Sequence, residues 1–462
     1  MAREDGLHIA ERFACILGYY LDMDRPDRDA AMRRLERFEE ILIPSQPYEM
    51  ASLVNMKAWQ GIYAGDVALT RRHAAEAARL FEAAGSIPHS INAHIAWLWG
   101  SVEAGDAEGI VAAGQALREL TASRNMAWGR WALDAADAVT AMRAGDEDLL
   151  RDRLERLFAQ RWDRTDYYAH QFSWCASWAS SLAIAALRRD ILADNVRHFV
   201  RVFRLPAPDL TVIQWPWPVH VTALGRFEVR VDGVPLGFAG RAPHRTLLLL
   251  KVLIALGGTD VKDYLIMDVL WPDDDGDVAR DAFRVALHRL RRLLVHPHSI
   301  LVEDGQVSLN PAVCWVDTLA LERALRSDEE PDLALRIYQG DFLPGETSEG
   351  WSAPCRERLR RMFLRRVQEI GDHHEHHGRQ REAAALYTRA LEAAPASEAV
   401  AFRLMRCHHA LGDTSAALEV YGRLADALHA SSGIRPNEAT EALRQQIRDA
   451  LGTHTRRDVT GR

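Results

Sequence analysis

Between Gly276 and Asn310 the hydrophobic pattern switches period. Over Asp277–Leu294, Phe283, Ala286, Leu287, Leu290, Leu293 and Leu294 recur at three- and four-residue spacing, which predicts a helix packed on one face. Ile300-Leu301-Val302 and Val307-Ser308-Leu309 then flank Glu303-Asp304-Gly305-Gln306, which predicts two strands around a tight turn. Upstream, Val219–Leu224 and Phe227–Val231 alternate as strands, with Asp232-Gly233 as their turn. Pro243–Leu256 and Val261–Leu270 read as helices, the first ended by Gly257-Gly258 and the second by Trp271-Pro272.

The first third has a different rhythm. Ala64-Gly65-Asp66, Ala104-Gly105-Asp106 and Ala144-Gly145-Asp146 recur every 40 residues, with Ile62, Val102 and Met142 three places before each glycine. Glycine accepts the left-handed conformation that ends a helix, and aspartate caps the next one. Glu108, Glu147 and Asp148 fall in the first turns that follow, where the helix dipole favours acids. The pattern predicts an α-solenoid of the tetratricopeptide kind, with a period longer than the standard repeat. Trp59, Trp97, Trp99, Trp128, Trp131, Trp174 and Trp178 are expected to fill the gaps between stacked helices rather than to form a ligand cage. The concave surface of such an array suits a protein or small-molecule effector. The chain opens without a distinct capping repeat, as the back part of a longer architecture would.

Prolines in Leu205-Pro-Ala-Pro-Asp209 and Trp215-Pro-Trp-Pro218 break helices and stiffen a linker. From Thr318 the helical pattern returns, and Gly378 and Gly412 lie 34 apart, the tetratricopeptide period. His373-His374-Glu375-His376-His377 has helical spacing for metal ligation, but its place just before Gly378 favours histidines stabilising a helix end. The tail after Leu451 is polar and is expected to be disordered.

Chemistry concentrates on the outer face of the helix 277–294. Arg284, Val285, His288 and Arg292 share that face, with Arg280, Arg289 and Arg291 on its flanks and one acid, Asp281, among them. Arginine's planar fork meets guanine edges or phosphates with two parallel hydrogen bonds. A plain solvated basic face is the alternative. The acidic run Asp273–Asp277 is expected to cap the helix. The overall charge of −8 excludes a generally basic nucleic-acid binder, so any DNA contact must be a local patch. Five scattered cysteines without a Cys-x-x-Cys argue for reduced thiols in a cytoplasm. The charge-free window Tyr167–Leu187 carries His170, Gln171 and serines and reads as a buried repeat helix, not a membrane span.

The order of strands, two helices, basic helix and hairpin resembles the winged helix of the response-regulator type, as found in the Streptomyces antibiotic regulatory protein family. Leu224-Gly225 with Phe227, Leu270-Trp271-Pro272, Ala286-Leu-His-Arg-Leu-Arg-Arg-Leu293 and the Val316-Asp317 exit carry the resemblance. It implies that the third helix lies in the major groove of double-stranded DNA, with Arg280, Arg284, His288, Arg289, Arg291 and Arg292 as contacts. Glu303 and Asp304 in the hairpin depart from a phosphate-binding wing, and the domain holds roughly as many acids as bases. In the resembling domains the loop 273–277 can face RNA polymerase. Tyr338-Gln-Gly-Asp-Phe-Leu-Pro-Gly345, Trp351, Arg356, Leu404-Met405, Gly412-Asp413, Ala417-Leu418, Tyr421 and Gly433-Ile-Arg-Pro436 resemble the bacterial transcriptional activator domain that follows the winged helix in that family. This implies transcription activation and a possible homodimer.

The expected fold is mainly α with a small α+β domain. A tetratricopeptide-like α-solenoid (1–204) leads through a proline-rich linker (205–218) to a winged helix-turn-helix (219–317). A tetratricopeptide-like activator domain (318–452) and a tail (453–462) follow. Phosphate loops, nucleophile elbows and zinc-protease helices are absent from the sequence. No enzyme, cofactor, metal or membrane association is expected. A scaffold whose winged helix docks protein instead of DNA is the alternative function.

Overall fold

The computed structural model describes residues 2–24, 28–122, 126–162, 175–205, 207, 209–237, 244–326, 332–346 and 350–459. The chain is mostly helical and divides into two compact units, Met1–Pro208 with Gln214–Pro216, and Asp209–Ile213 with Trp217–Arg462.

The described helices of the first unit are α1 (Ala2–Asp24), α2 (Arg28–Ile41), α3 (Pro47–Ala64), α4 (Val67–Ala83), α5 (Ile87–Ala104), α6 (Ala107–Ala122), α7 (Ala127–Ala144), α8 (Glu147–Ala159), α9 (Ala176–Arg188) and α10 (Ala193–Phe203). The Gly-Asp joints work as the spacing predicts. Gly65, Gly105 and Gly145 end α3, α5 and α7 at φ of 72°, 68° and 72°. Asp66, Asp106 and Asp146 accept from the N–H groups of Leu69, Gly109 and Leu149 at 2.9, 3.0 and 3.1 Å, satisfying donors the helix start leaves open. Trp59 is fully buried and donates to Asn92 Oδ1 at 2.6 Å. Asn55 donates to the same oxygen at 2.9 Å and to Tyr20 at 2.8 Å, so a polar thread ties α1, α3 and α5. Trp99, Trp128, Trp131 and Trp178 are buried between helices, and Trp97 is half-buried. Trp174 and residues 167–174 of the charge-free window lie outside the described residues. The remainder of that window falls on α9, where Trp178, Leu182, Ala183 and Ala186 are buried.

In the second unit, β1 (Val219–Thr222), β2 (Glu228–Val231) and β3 (Val234–Pro235) precede α11 (His244–Ala255). Pro243, expected to start that helix, lies outside the described residues. Then come β4 (Val261–Lys262), α12 (Asp263–Leu270), α13 (Gly276–Leu293), β5 (Ile300–Glu303), β6 (Gln306–Leu309) and β7 (Cys314–Val316). One sheet has the order β3-β2-β1-β7, with β7 parallel to β1; the other is β4-β6-β5. Asp232-Gly233 and Asp304-Gly305 turn at positive φ in both residues, the twist a two-residue hairpin requires.

The expected helix 261–270 needs correction at its start. Val261 and Lys262 pair with Val307 and Gln306, because a β-branched residue beside an open wing edge gains a ladder before the helix begins at Asp263. The acidic run also caps less than expected. Asp275 takes the N-cap position of α13 without a side-chain hydrogen bond, which leaves only the dipole effect of Asp277.

Helices α14 (Asp317–Ala324), α15 (Leu333–Ile337), α16 (Ala353–His376), α17 (Gln380–Ala393), α18 (Glu398–Ala410), α19 (Thr414–Ser432) and α20 (Glu438–Val459) complete the unit. Gly378 and Gly412 close α16 and α18 at φ of 71° and 80°. Gly371 leaves room for Tyr387, whose hydroxyl would lie 2.1 Å from a Cβ there and instead donates to Glu375 at 2.7 Å. His376 and His377 hold carbonyls of their own helix, those of Asp372 and His373, at 2.6 and 2.7 Å. Among the described residues no group of three or more His, Cys, Asp and Glu is placed to hold a metal. The last helix runs to Val459, past the point where a disordered tail was expected at 453. Once a helix exists, each further residue adds a hydrogen bond without a new nucleus, and polar side chains do not stop it.

Two motifs far apart in sequence meet at the joint between the strand β1 and the helices that follow β7. Asp317 Oδ2 accepts from the N–H groups of Ala223 and Leu224 at 2.7 and 2.8 Å. Gly225 donates to the Asp341 carbonyl at 3.0 Å, and Leu343 donates to the Ala223 carbonyl at 2.8 Å. A Cβ on Gly225, at φ 79°, would lie 2.7 Å from the Gln339 carbonyl oxygen, so this close approach requires glycine. Lys251 closes the joint by pairing with Glu346.

Candidate nucleic-acid interface

The helix α13 owes its position to its apolar face. Ala279, Phe283, Ala286, Leu287 and Leu290 are buried, against α11 with its buried Leu249, Leu250, Leu253 and Ile254. Most of its polar side chains are thereby turned outward. Arg280, Arg284, His288, Arg289 and Arg292 are all exposed, together with Val278 and Val285.

The six expected contact residues divide into three groups. Arg280 and Arg284 lean on Asp277 and Asp281 of the same helix at 3.7 and 3.2 Å. Such exposed pairs contribute about 0–1 kcal/mol, so either guanidinium can exchange its acid for a phosphate or a base. His288, Arg289 and Arg292 have no side-chain partner among the described residues. Arg291 differs. It is half-buried, and its Nη2 and Nε donate to the Ile300 carbonyl of β5 at 2.8 and 3.3 Å. Of the six expected contacts, Arg291 is the one whose guanidinium already ties the helix to the hairpin. The cause is a flank position on the wheel, which sits over the first wing strand once the hairpin folds back.

The wing presents Val302, Glu303 and Asp304 to solvent. Lys262, exposed at the β4 edge beside β6, is a cation that sequence reasoning passed over, because a lone lysine in an apolar stretch gives no signal. Val278 was missed for the same reason. Val295 closes α13 at φ 63°, a strained conformation for a β-branched side chain.

Residues 317–448 match the family model of the bacterial transcriptional activator domain. That activator domain begins at Asp317, the residue clamping the winged-helix loop 223–224, and runs through the repeat helices α14 to α20. It supports a transcriptional activator as the class of the chain. No curated protein matches the sequence. Among solved structures, EmbR of Mycobacterium tuberculosis in complex with a low-affinity phosphopeptide is similar at 19% identity and a TM-score of 0.36. The match covers 51% of this chain and 66% of that one. A circular tandem repeat protein with a novel repeat topology and enhanced subunit contact surfaces is similar at 12% identity and a TM-score of 0.18, covering 99% and 97%. No helix among the described residues is long and apolar enough to cross a membrane.

Proposed function

We propose that the chain is a DNA-binding transcription regulator of the Streptomyces antibiotic regulatory kind, in which α13 reads duplex DNA from the major groove. The supporting observation is the sorting of α13. Its apolar face is buried, while Arg280, Arg284, His288, Arg289 and Arg292 stand exposed around Val285. Guanidinium groups serve guanine edges and phosphates, and an exposed valine on the same face suits a thymine methyl. The wing, with Glu303 and Asp304, stays away from phosphate. The adjoining activator domain and the acidic loop 273–277 are the surfaces for RNA polymerase, and the first unit is the place for an effector.

Selection of duplexes from a random pool by the full chain, followed by fluorescence anisotropy on the winner, tests the reading. Affinity should fall steeply with salt, because each neutralised phosphate releases counterions. Arg292→Ala should weaken the selected duplex by about 1–3 kcal/mol. Absence of DNA retention at low salt, together with a stable protein partner, would favour the adaptor reading that the acidic wing suggests.

A further inference from the structure

The first helix is apolar on both sides: Cys15, Ile16, Tyr19 and Met23 are buried on its inner face. From Ile9 through Leu21, every exposed residue of α1 is apolar: Ile9, Ala10, Phe13, Ala14, Leu17 and Leu21. Ile9, Phe13, Leu17 and Leu21 are 50%, 50%, 52% and 61% exposed. Two charged residues of the same helix lie on its inner face as well. Arg12 and Asp22 are buried and paired with Glu49 and Arg34 at 2.7 and 2.5 Å. Gly18 admits the Arg34 guanidinium, which would lie 2.5 Å from a Cβ there. A helix apolar on its outer face is normally covered.

We propose that this face of α1 packs against the same face of a second copy of the chain. Ile9, Phe13, Leu17 and Leu21 form a ridge at four-residue spacing, and Ala10 and Ala14 form a shallow row beside it. Two such helices crossing antiparallel about a two-fold axis each lay the ridge in the other's row, the commonest ridge-in-groove geometry. One surface is then its own complement, as an isologous interface requires. The charges along the rim do not oppose approach, because Glu11 is already closed on Arg37 at 2.7 Å. Among the described residues, Arg12, Arg34 and Arg37 are each paired with a carboxylate, unlike the free basic face of a helix lying on an anionic membrane. Large side chains half exposed leave roughly 100 Å² each. Two copies would therefore bury about 1,000 Å² with the alanines and rim included, the lower limit for a specific interface. The dimer is accordingly weak and reversible.

Sedimentation velocity of the full chain from low to high micromolar concentration tests this. The parent should pass from monomer to dimer. Leu17→Glu and Ala14→Trp, both at exposed positions, should each weaken dimerisation at least about tenfold with unchanged circular dichroism. Ala14→Cys should give a covalent dimer on mild oxidation. A parent that stays monomeric overturns the proposal, as does dimerisation equal to the parent's in both variants. A monomer that floats with phosphatidylglycerol vesicles overturns it in favour of a lipid surface. None of these outcomes bears on DNA reading by α13, which belongs to the other unit.

Discussion

Helices α13 and α1 both bury an apolar face, yet α13 turns basic side chains to solvent where α1 turns a second apolar stripe. In α13 the apolar stripe is the buried side, and five of the six expected basic residues reach solvent. In α1 Cys15, Ile16, Tyr19 and Met23 are buried beside Arg12 and Asp22, and a second apolar stripe is outside. A hydrophobic period fixes that a helix has two faces. It does not fix which face meets the protein's own core, because that depends on what the neighbouring elements offer. Opposite α13 stands the leucine-rich α11; opposite α1 stand Glu49 of α3 and Arg34 of α2, which accept its charges.

The same substitution on the two helices gives the largest expected contrast. Phe283→Ala removes a side chain only 5% exposed and should destabilise the second unit by about 3–5 kcal/mol. Phe13→Ala, at a position half exposed, should cost about 1 kcal/mol or less. Chemical denaturation followed by circular dichroism measures both; equal losses would mean that α1 is covered within one chain. Arg12→Ala comes next, at roughly 3 kcal/mol, because it leaves Glu49 without its buried partner. An unchanged unfolding midpoint would show that the Arg12–Glu49 pair does not help to hold the inner face of α1 in place.

Within α13 the arginines should separate by task. Arg284→Ala should weaken DNA binding by about 1–3 kcal/mol and leave stability unchanged. Arg291→Ala should lower stability by about 1–2 kcal/mol, because it strips the Ile300 carbonyl of a charged donor. If Arg291→Ala instead abolishes binding in a fully stable protein, its guanidinium leaves the hairpin for DNA.

Over a single pH unit the smallest effect concerns a third buried ionisable group, Asp317, held by backbone N–H groups rather than by a cation. Burial pushes its carboxyl from 3.8 up to about 7. The folded chain therefore binds a proton there that the unfolded chain does not, between the two values. This group's contribution to stability should grow as pH falls through that window and fade as pH rises towards 7, by at most about 1.4 kcal/mol per pH unit. Asp317→Asn lacks the proton, so the gap in melting temperature between parent and variant should drift with pH in that direction. A gap that stays flat across the window would show that the N–H groups of Ala223 and Leu224 keep the carboxylate ionised.

Much of this molecule is written in local chemistry. The Ala-Gly-Asp triplets close and cap helices through φ preference and one side-chain hydrogen bond, so Gly65, Gly105 and Gly145 were legible without any partner. The same holds for the Asp304-Gly305 hairpin and for the face that Arg284, His288 and Arg292 share. Other features needed the fold. Val261 became a strand because β6 lay beside it. Arg291 turned to a carbonyl nine residues on, and Asp275 left its helix start without a side-chain cap.

The joint between Leu224-Gly225 and the stretch Gln339–Leu343 joins residues more than a hundred positions apart, and periodicity carries no information at that range. The Asp-Gly turns, the Gly-Asp joints and the helical faces are decided by residues within a turn or two of each other, and the sequence alone determines them. Which side of α1 is covered, which arginine is free and how the winged helix locks to the activator domain depend on distant groups brought together. Only the tertiary structure decides them.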